Sequence, residues 1–469
     1  MSSNRLKRTI LGSTLFSRTI ASETKELEAY KEYKNDTPSY VKAVPEFAAM
    51  GGVLISYPGT VSSSSPQSTP SGPRSFGIPN ELIIRMQQND TSEPVHIFVM
   101  CADEKEKQNI VNSLTKTADE LELTFNPEHL HIVPWDTDTF WTRDYGPWWI
   151  KNTKTGYFGI AKHTYTTLGG GNVGLVEGAE GVDPREGLGI FRPNDDYGAV
   201  KFSDFLNNPI RQWNKARYHT TELDKKGSAQ LPPIPVHNFY YLGLLDVGGN
   251  YMVDGNGSVA STYLVATQNE LPVKEQQDLE REHTTQQEID KRMEYVLEQQ
   301  NRFMGINSYR VLQDPTGTYI GHIDCWGKFL SGNKVLIARS EDPTINEKLD
   351  AISEQFEKWG YSAYRVMCQK VHTPNSDDPT NTAAYTNSLI LNNSVYVPLS
   401  GQGYEEFDRD ALDTYKQALP DYNIVGIHSK PEFPWLGTDA MHCRTRAVPR
   451  EVINNWLESL KPQHPTKTK

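Results

Sequence analysis

KVLIARS (334–340), DPTINEKLDAISEQFEKWG (342–360) and SAYRVM (362–367) decide the fold class. The first is an apolar run of strand length. In the second, Ile345, Leu349, Ile352, Phe356 and Trp359 recur at helical spacing, and Gly360 stands where a helix C-terminus turns left-handed. The third returns to strand. The unit recurs as SVYVPLS (394–400), a helix with Phe407, Ala411, Tyr415 and Leu419 on one face, and YNIVGIH (422–428). A third copy is VHIFVMC (95–101), a helix carrying Ile110, Leu114, Ala118 and Leu121, and HLHIVPW (129–135). Repeated strand–helix–strand units mean α/β architecture with binding loops at strand ends. The pattern alone does not separate an open sheet from a closed ring. A charged helix over 273–301, with Ile289, Met293, Val296 and Leu297 on its apolar face, reads as a solvated surface helix.

The rest of the chain sets bounds. It has 469 residues, 37% hydrophobic and 23% charged, a soluble globular composition. No run approaches the ~18 apolar residues of a membrane span. A net charge of −12 argues against a nucleic-acid partner. Four cysteines, Cys101, Cys325, Cys368 and Cys443, with no CxxC pair, read as free thiols. Residues 1–22 carry four basic and no acidic side chains. They read as a disordered tail in a cytoplasmic protein, with a mitochondrial targeting peptide as the alternative. The domain reading is a tail over 1–44, one catalytic domain over 45–460 and a tail over 461–469. Residues 59–74 and the Gly-rich 167–190 are loops. Gly169, Gly171 and Gly174 match GxGxxG, but no helix follows, so no dinucleotide fold is supported.

Four clusters could carry chemistry. In WTRDYGPWW (141–149) aromatics flank Arg143 and Asp144. A carboxylate among tryptophans can hold a planar cation, and a structural loop explains the stretch equally well. In GHIDCWGKF (321–329), extended backbone puts His322 and Asp324 on one face and turns Cys325 toward the core. The pair suits a base with a cation holder, or two metal ligands. In GTDAMHCRTR (437–446), small residues precede Cys443 and cationic ones follow, a setting that lowers a thiol pKa. His442 faces away from Cys443 if that backbone is extended, so His322 is the candidate base. A buried inert cysteine is equally compatible with the composition. DVGGNY (246–251) reads best as a hairpin turn, although its paired glycines suggest close backbone approach to something.

Taken in order, WTRDYGPWW, DVGGNYM, GHIDCWGKF, AYTNSLILNN (384–393) and GTDAMHCRTR resemble the Porphyromonas-type peptidylarginine deiminase and agmatine deiminase family, of the guanidino-group-modifying, or pentein, superfamily. The resemblance runs from about Pro45 to Pro449. It implies an α/β fold, a five-bladed propeller of ββαβ modules around a pseudo-fivefold axis. It also implies Cys443 as nucleophile, His322 as general acid/base and Asp144 with Asp324 as the guanidinium clamp. Trp141, Asn387, Tyr319 and Thr438 fall where the peptidylarginine branch lines its pocket, and Arg192 in FRPNDD (191–196) matches one of a carboxylate-binding arginine pair whose partner position is Ile190. No metal or other cofactor is implied. The expected partner is an arginine-containing peptide or a small guanidino substrate, and a homo-oligomer is left open. The spelling of the Cys443 and His322 motifs favours a peptidylarginine deiminase that converts arginine to citrulline, with agmatine deiminase as the alternative. Rival classes are a zinc hydrolase built on His322, Asp324 and Cys443, and an inactive arginine-binding module.

Overall fold

The computed structural model describes residues 27–59, 74–88, 93–165, 192–219, 233–269, 285–316, 321–368, 384–429, 435 and 439–461. Residues 1–22, the Gly-rich 167–190, Tyr319 and Thr438 lie outside the described residues.

The repeat is present as read. Lys334–Ser340 pairs in parallel with Ser362–Cys368 after a crossover helix, Pro343–Lys358. That helix starts where Asp342 accepts hydrogen bonds from Thr344 N and Ile345 N, and it ends before Gly360 at φ 91°. Ser394–Leu399 and Asn423–His428 form a second parallel pair across Glu405–Ala418. His96–Met100 and Leu130–Val133 form a third across Glu106–Glu120. Two further sheets each hold one parallel pair, Phe158–Thr164 with Asn238–Leu245 and Ser258–Thr262 with Ser308–Leu312.

The described strands fall into five separate sheets. In four of them the first strand of the parallel pair also takes an antiparallel neighbour, Trp148–Asn152, Met252–Val253, Gly327–Ser331 or Leu389–Leu391; in the fifth, Met50–Ser56 runs parallel to His96–Met100 and antiparallel to Arg446–Pro449. Strand pairing alone does not close the sheets into a ring. Apolar residues of strands and helices pack into three clusters of buried side chains between these layers.

Two readings change. Residues before 45 are not all tail, because Tyr30–Lys34 pairs with Ser308–Leu312 and Val41–Ala43 with Trp148–Asn152. YKEYK hides its strand character because an edge strand can keep its charges in solvent. The charged helix is observed over Gln286–Met304, with Thr285 accepting from Glu288 N and Gly305 at φ 70°. It is not solely a surface element, since Ile289, Met293 and Val296 are wholly buried in the core. Among the described residues, no helix is long and apolar enough to cross a membrane.

Candidate active site

Three short turns and one loop bring the candidate groups together. Asp144 lies on a one-turn helix, Thr142–Tyr145. Tyr145 anchors that turn by hydrogen bonding through its hydroxyl to Ser56 Oγ (2.7 Å) and Thr139 O (2.8 Å). Arg143 turns the opposite way from Asp144. Its backbone N donates to Cys443 O (3.0 Å) and its Nε to His442 O (3.1 Å), which pins the cysteine segment.

The second turn is Gly248–Asn250. It is not a plain hairpin. Gly249 N donates to Asp144 Oδ1 at 3.2 Å. A Cβ on Gly249 would stand 2.4 Å from His322 Nδ1, 3.0 Å from Asp144 Oδ1 and 3.2 Å from Asp324 Oδ2. The missing side chain is therefore the space into which a histidine and two carboxylates converge. Asn250 Oδ1 accepts from Ile323 N, Thr262 N and Thr262 Oγ1, so it ties this turn to the next.

The third turn is Ile323–Cys325, with His322 at its N-terminal edge. The segment is helical rather than extended, yet His322 and Asp324 still meet: Nδ1 lies 3.9 Å from Asp324 Oδ1 and 4.0 Å from Asp144 Oδ1. Cys325 is buried in the core, as the sequence suggests. Asp324 Oδ2 receives His442 Nδ1 at 2.7 Å and the Cys443 thiol at 3.4 Å. Alternation in an extended strand would separate His442 from Cys443; the backbone there turns, and both reach one carboxylate oxygen.

Asn387 holds the cysteine loop. Its Oδ1 accepts from Ala440 N (3.0 Å) and Cys443 N (3.1 Å), and its Nδ2 donates to Cys443 Sγ (3.1 Å). Trp141 and Arg192 stack, with the guanidinium 4.8 Å from the ring centroid, and Arg192 Nη1 donates to Tyr165 OH at 2.8 Å. The PNDD turn carrying Arg192 is fastened to the loop before Trp141: Asp195 Oδ1 accepts from Asp138 N and Thr139 N, and Asp138 accepts from Asn194.

Burial and the facing Asp324 raise Asp144 well above the usual carboxylate range. Burial also pushes Asp324 up, but hydrogen bonding and attraction from His442, with help from His322 and Cys443, outweigh it and leave Asp324 below its ordinary value. Burial lowers His322. The Cys443 thiol is raised well above its ordinary value, first by burial and then by Asp324, Asp439 and Asp144. This reverses the expectation from the cationic residues that follow it. Arg444 is spent on Asp439 and on Gly77 O, and Arg446 on Pro147 O, so neither lowers the thiol.

Sequence reasoning missed Glu46, whose Oε2 lies 2.9 Å from His442 Nε2 and which also accepts from Lys328 Nζ and Ile390 N. No local motif marks it, because its partners lie hundreds of residues away. Among the described residues, no three His, Cys, Asp or Glu side chains are arranged to hold a metal ion.

Two buried carboxylates, Asp144 and Asp324, thus converge with His322 on the space beside Gly249, with the Cys443 thiol on Asp324. The chain is similar to the "Putative Arginine Deiminase from Porphyromonas gingivalis" at TM-score 0.53 and 18% identity, covering 88% of this chain and 99% of that one. It is similar to the agmatine deiminase of Enterococcus faecalis at TM-score 0.54 and 17% identity, covering 89% and 100%. A protein of Legionella pneumophila named "Putative agmatine deiminase" is 25% identical over 274 residues, 55% of this chain and 73% of its own length. The family model described as Porphyromonas-type peptidyl-arginine deiminase matches residues 42–449. The chain belongs to that family, whose deiminases are hydrolases of C–N bonds in guanidino groups.

Proposed function

We propose that this protein hydrolyses a small guanidino compound to its ureido counterpart and ammonia, with agmatine as the foremost substrate. The observation that carries the reading is the convergence of Asp144, Asp324 and His322 on the space beside Gly249, with Cys443 on Asp324. The names of the relatives favour agmatine over the peptidyl substrate that the motif spelling suggests.

In this reading Asp144 and Asp324 grip the fork of guanidinium N–H donors and set its carbon before sulfur. The raised Cys443 thiol stays neutral in the empty site, and the arriving cation supplies the positive charge that favours the thiolate. His322 takes the proton of the Cys443 thiol as sulfur bonds to the guanidinium carbon, giving a tetrahedral adduct. His322 passes a proton to one nitrogen, the C–N bond breaks, and ammonia leaves a thiouronium on sulfur. His322 then takes a proton from water as the oxygen attacks the same carbon. The C–S bond breaks, releasing the ureido product and the thiolate. Asn387 acts as a positioning residue in this scheme, because its amide is engaged by the cysteine loop. The five sheets are in turn read as the five blades of a closed ring.

Incubation with agmatine, free arginine, and internal- and C-terminal-arginine peptides, measuring ammonia and ureido product from each, tests the proposal. Agmatine is expected to be the best substrate; no turnover of any of them would end the reading. One observation favours a second reading, a substrate bearing a carboxylate: Arg192 stacked on Trp141 places a cation beside the candidate site. In that case Arg192→Ala would weaken free or C-terminal arginine selectively, by roughly 10- to 150-fold in kcat/KM. Agmatine would be unaffected or improved. An equal loss on all substrates would make Arg192 structural.

A further inference from the structure

Behind His442, on the side of Glu46, lies a small chamber of about 40 Å³. Its polar lining includes Glu46, Arg143, Lys328, His442 and Arg446, and apolar residues such as Val44 and Phe47 wall it. The candidate chemistry uses none of its cations.

The charges in this chamber do not balance. Glu46 is fully engaged, by both hydrogen bonds from Lys328 Nζ, by His442 Nε2 and by Ile390 N. Lys328 completes its own shell with Ser388 O at 2.7 Å. Asp324 is shared between His442 and Cys443. That leaves two guanidinium groups. Arg143, 4% exposed, spends Nε on a backbone carbonyl, while its Nη2 is buried without a hydrogen-bond partner among the described residues. Arg446, half-buried, donates Nε to the Pro147 carbonyl. Neither makes an ion pair among the described residues. Each depresses its neighbourhood for positive charge: burial first, then Arg143, pushes Arg446 down to about 9. Even with His442 neutral, Arg143, Arg446 and Lys328 face only the carboxylates of Glu46 and Asp324. A buried cation short of counter-charge is strongly unfavourable, and the buried Arg143 Nη2 without an acceptor adds to it.

We propose that this chamber binds one monovalent anion of halide size between Arg143 and Arg446. The volume has room for one or two water-sized particles. That suits chloride or bromide. The anion would complete the donors of Arg143, whose backbone and side chain hold the Cys443 segment. The site is a property of the folded chain and stands whether or not the guanidino reading holds.

The test is thermal unfolding of the full chain in sodium gluconate, replaced stepwise by sodium chloride or sodium bromide at constant ionic strength. Chloride and bromide are each expected to raise Tm saturably, by roughly 2–4 °C. Arg446→Met should lose that response and Arg446→Lys should keep part of it. Crystals grown in bromide decide the matter independently of how the variants fold: anomalous density is expected between Arg143 and Arg446. Equal Tm in gluconate, chloride and bromide would overturn the proposal. So would a halide response unchanged in Arg446→Met, or a bromide crystal with water alone in the chamber.

Discussion

Gly249→Ala separates catalysis from folding in a single substitution. The added Cβ would sit 2.4 Å from His322 Nδ1, where ordinary contact begins near 3.4 Å, so the imidazole must retreat by about 1 Å. The same methyl would press on Asp144 Oδ1 at 3.0 Å and Asp324 Oδ2 at 3.2 Å, filling the space a flat cation needs. A misplacement of ~1 Å at reacting groups costs about 100-fold, or roughly 2.7 kcal/mol of transition-state stabilisation. Folding should suffer little, because Gly249 is not among the glycines at positive φ and alanine can adopt its backbone. Gly248→Ala is the contrast: its Cβ would meet the backbone Arg143 O at 1.9 Å, so that variant should fold poorly. The assay is kcat/KM for ammonia release from the best guanidino substrate, beside Tm and circular dichroism for each variant. A folded Gly249→Ala enzyme within threefold of wild type would refute the placement of substrate beside this glycine.

Other outcomes follow from the same geometry. Cys443→Ser should abolish turnover, whereas Cys325→Ala should stay largely active, since that thiol lies in the core; the reverse pattern in folded proteins would reassign the nucleophile. Asp144→Asn and Asp324→Asn should each lose activity on the order of 3–5 kcal/mol, the penalty for a desolvated cation without its partner, and near-normal kcat/KM in either would remove that residue from the clamp. Iodoacetamide should alkylate Cys443 slowly at neutral pH and faster as pH rises, because burial and three carboxylates hold the thiol up; a rate flat from pH 6 to 9 would contradict this. Stability should fall on acidification below about pH 6.5. Burial pushes His96 down to about 4 and His131 to about 3, so the unfolded chain takes up more protons than the folded one in that window. The His96 share is about 2–3 kcal/mol after solvent screening, and a Tm unchanged between pH 7 and 4.5 would remove it.

Much of this was open to a reader of the sequence, and the gaps have physical causes. The three units with apolar strands and periodic helices were legible because burial on both faces leaves near-continuous runs such as VLIA. The parallel pairs Phe158–Thr164 with Asn238–Leu245 and Ser258–Thr262 with Ser308–Leu312 were not. Long segments separate their strands, and SVAST, wholly buried, has too few large apolar residues to announce itself. Cys443, His322, Asp144 and Asp324 could be named because each sits in a local cluster. At Ile323–Cys325 a helical turn gives the same grouping that alternation predicts, whereas around His442 the turn brings together side chains that alternation would separate. Gly249 carried a visible signal, a paired glycine, but nothing local said that a histidine and two carboxylates stood opposite. Glu46 and the pinning role of Arg143 depend on contacts between residues 282 or more apart, such as Lys328 Nζ to Glu46 (282) and Ile390 N to Glu46 (344).

The central claim is that Cys443 forms a covalent bond to a guanidinium carbon. Acid quenching during turnover of agmatine, followed by proteolysis and peptide mass spectrometry, tests it directly. The account predicts a thiouronium adduct on the peptide carrying Cys443. The adduct should be absent from Cys443→Ser and from the peptides carrying Cys101, Cys325 and Cys368, and should decay as ammonia and ureido product accumulate. Ammonia release by a Cys443→Ser protein, or steady turnover with the adduct on another residue, would contradict it.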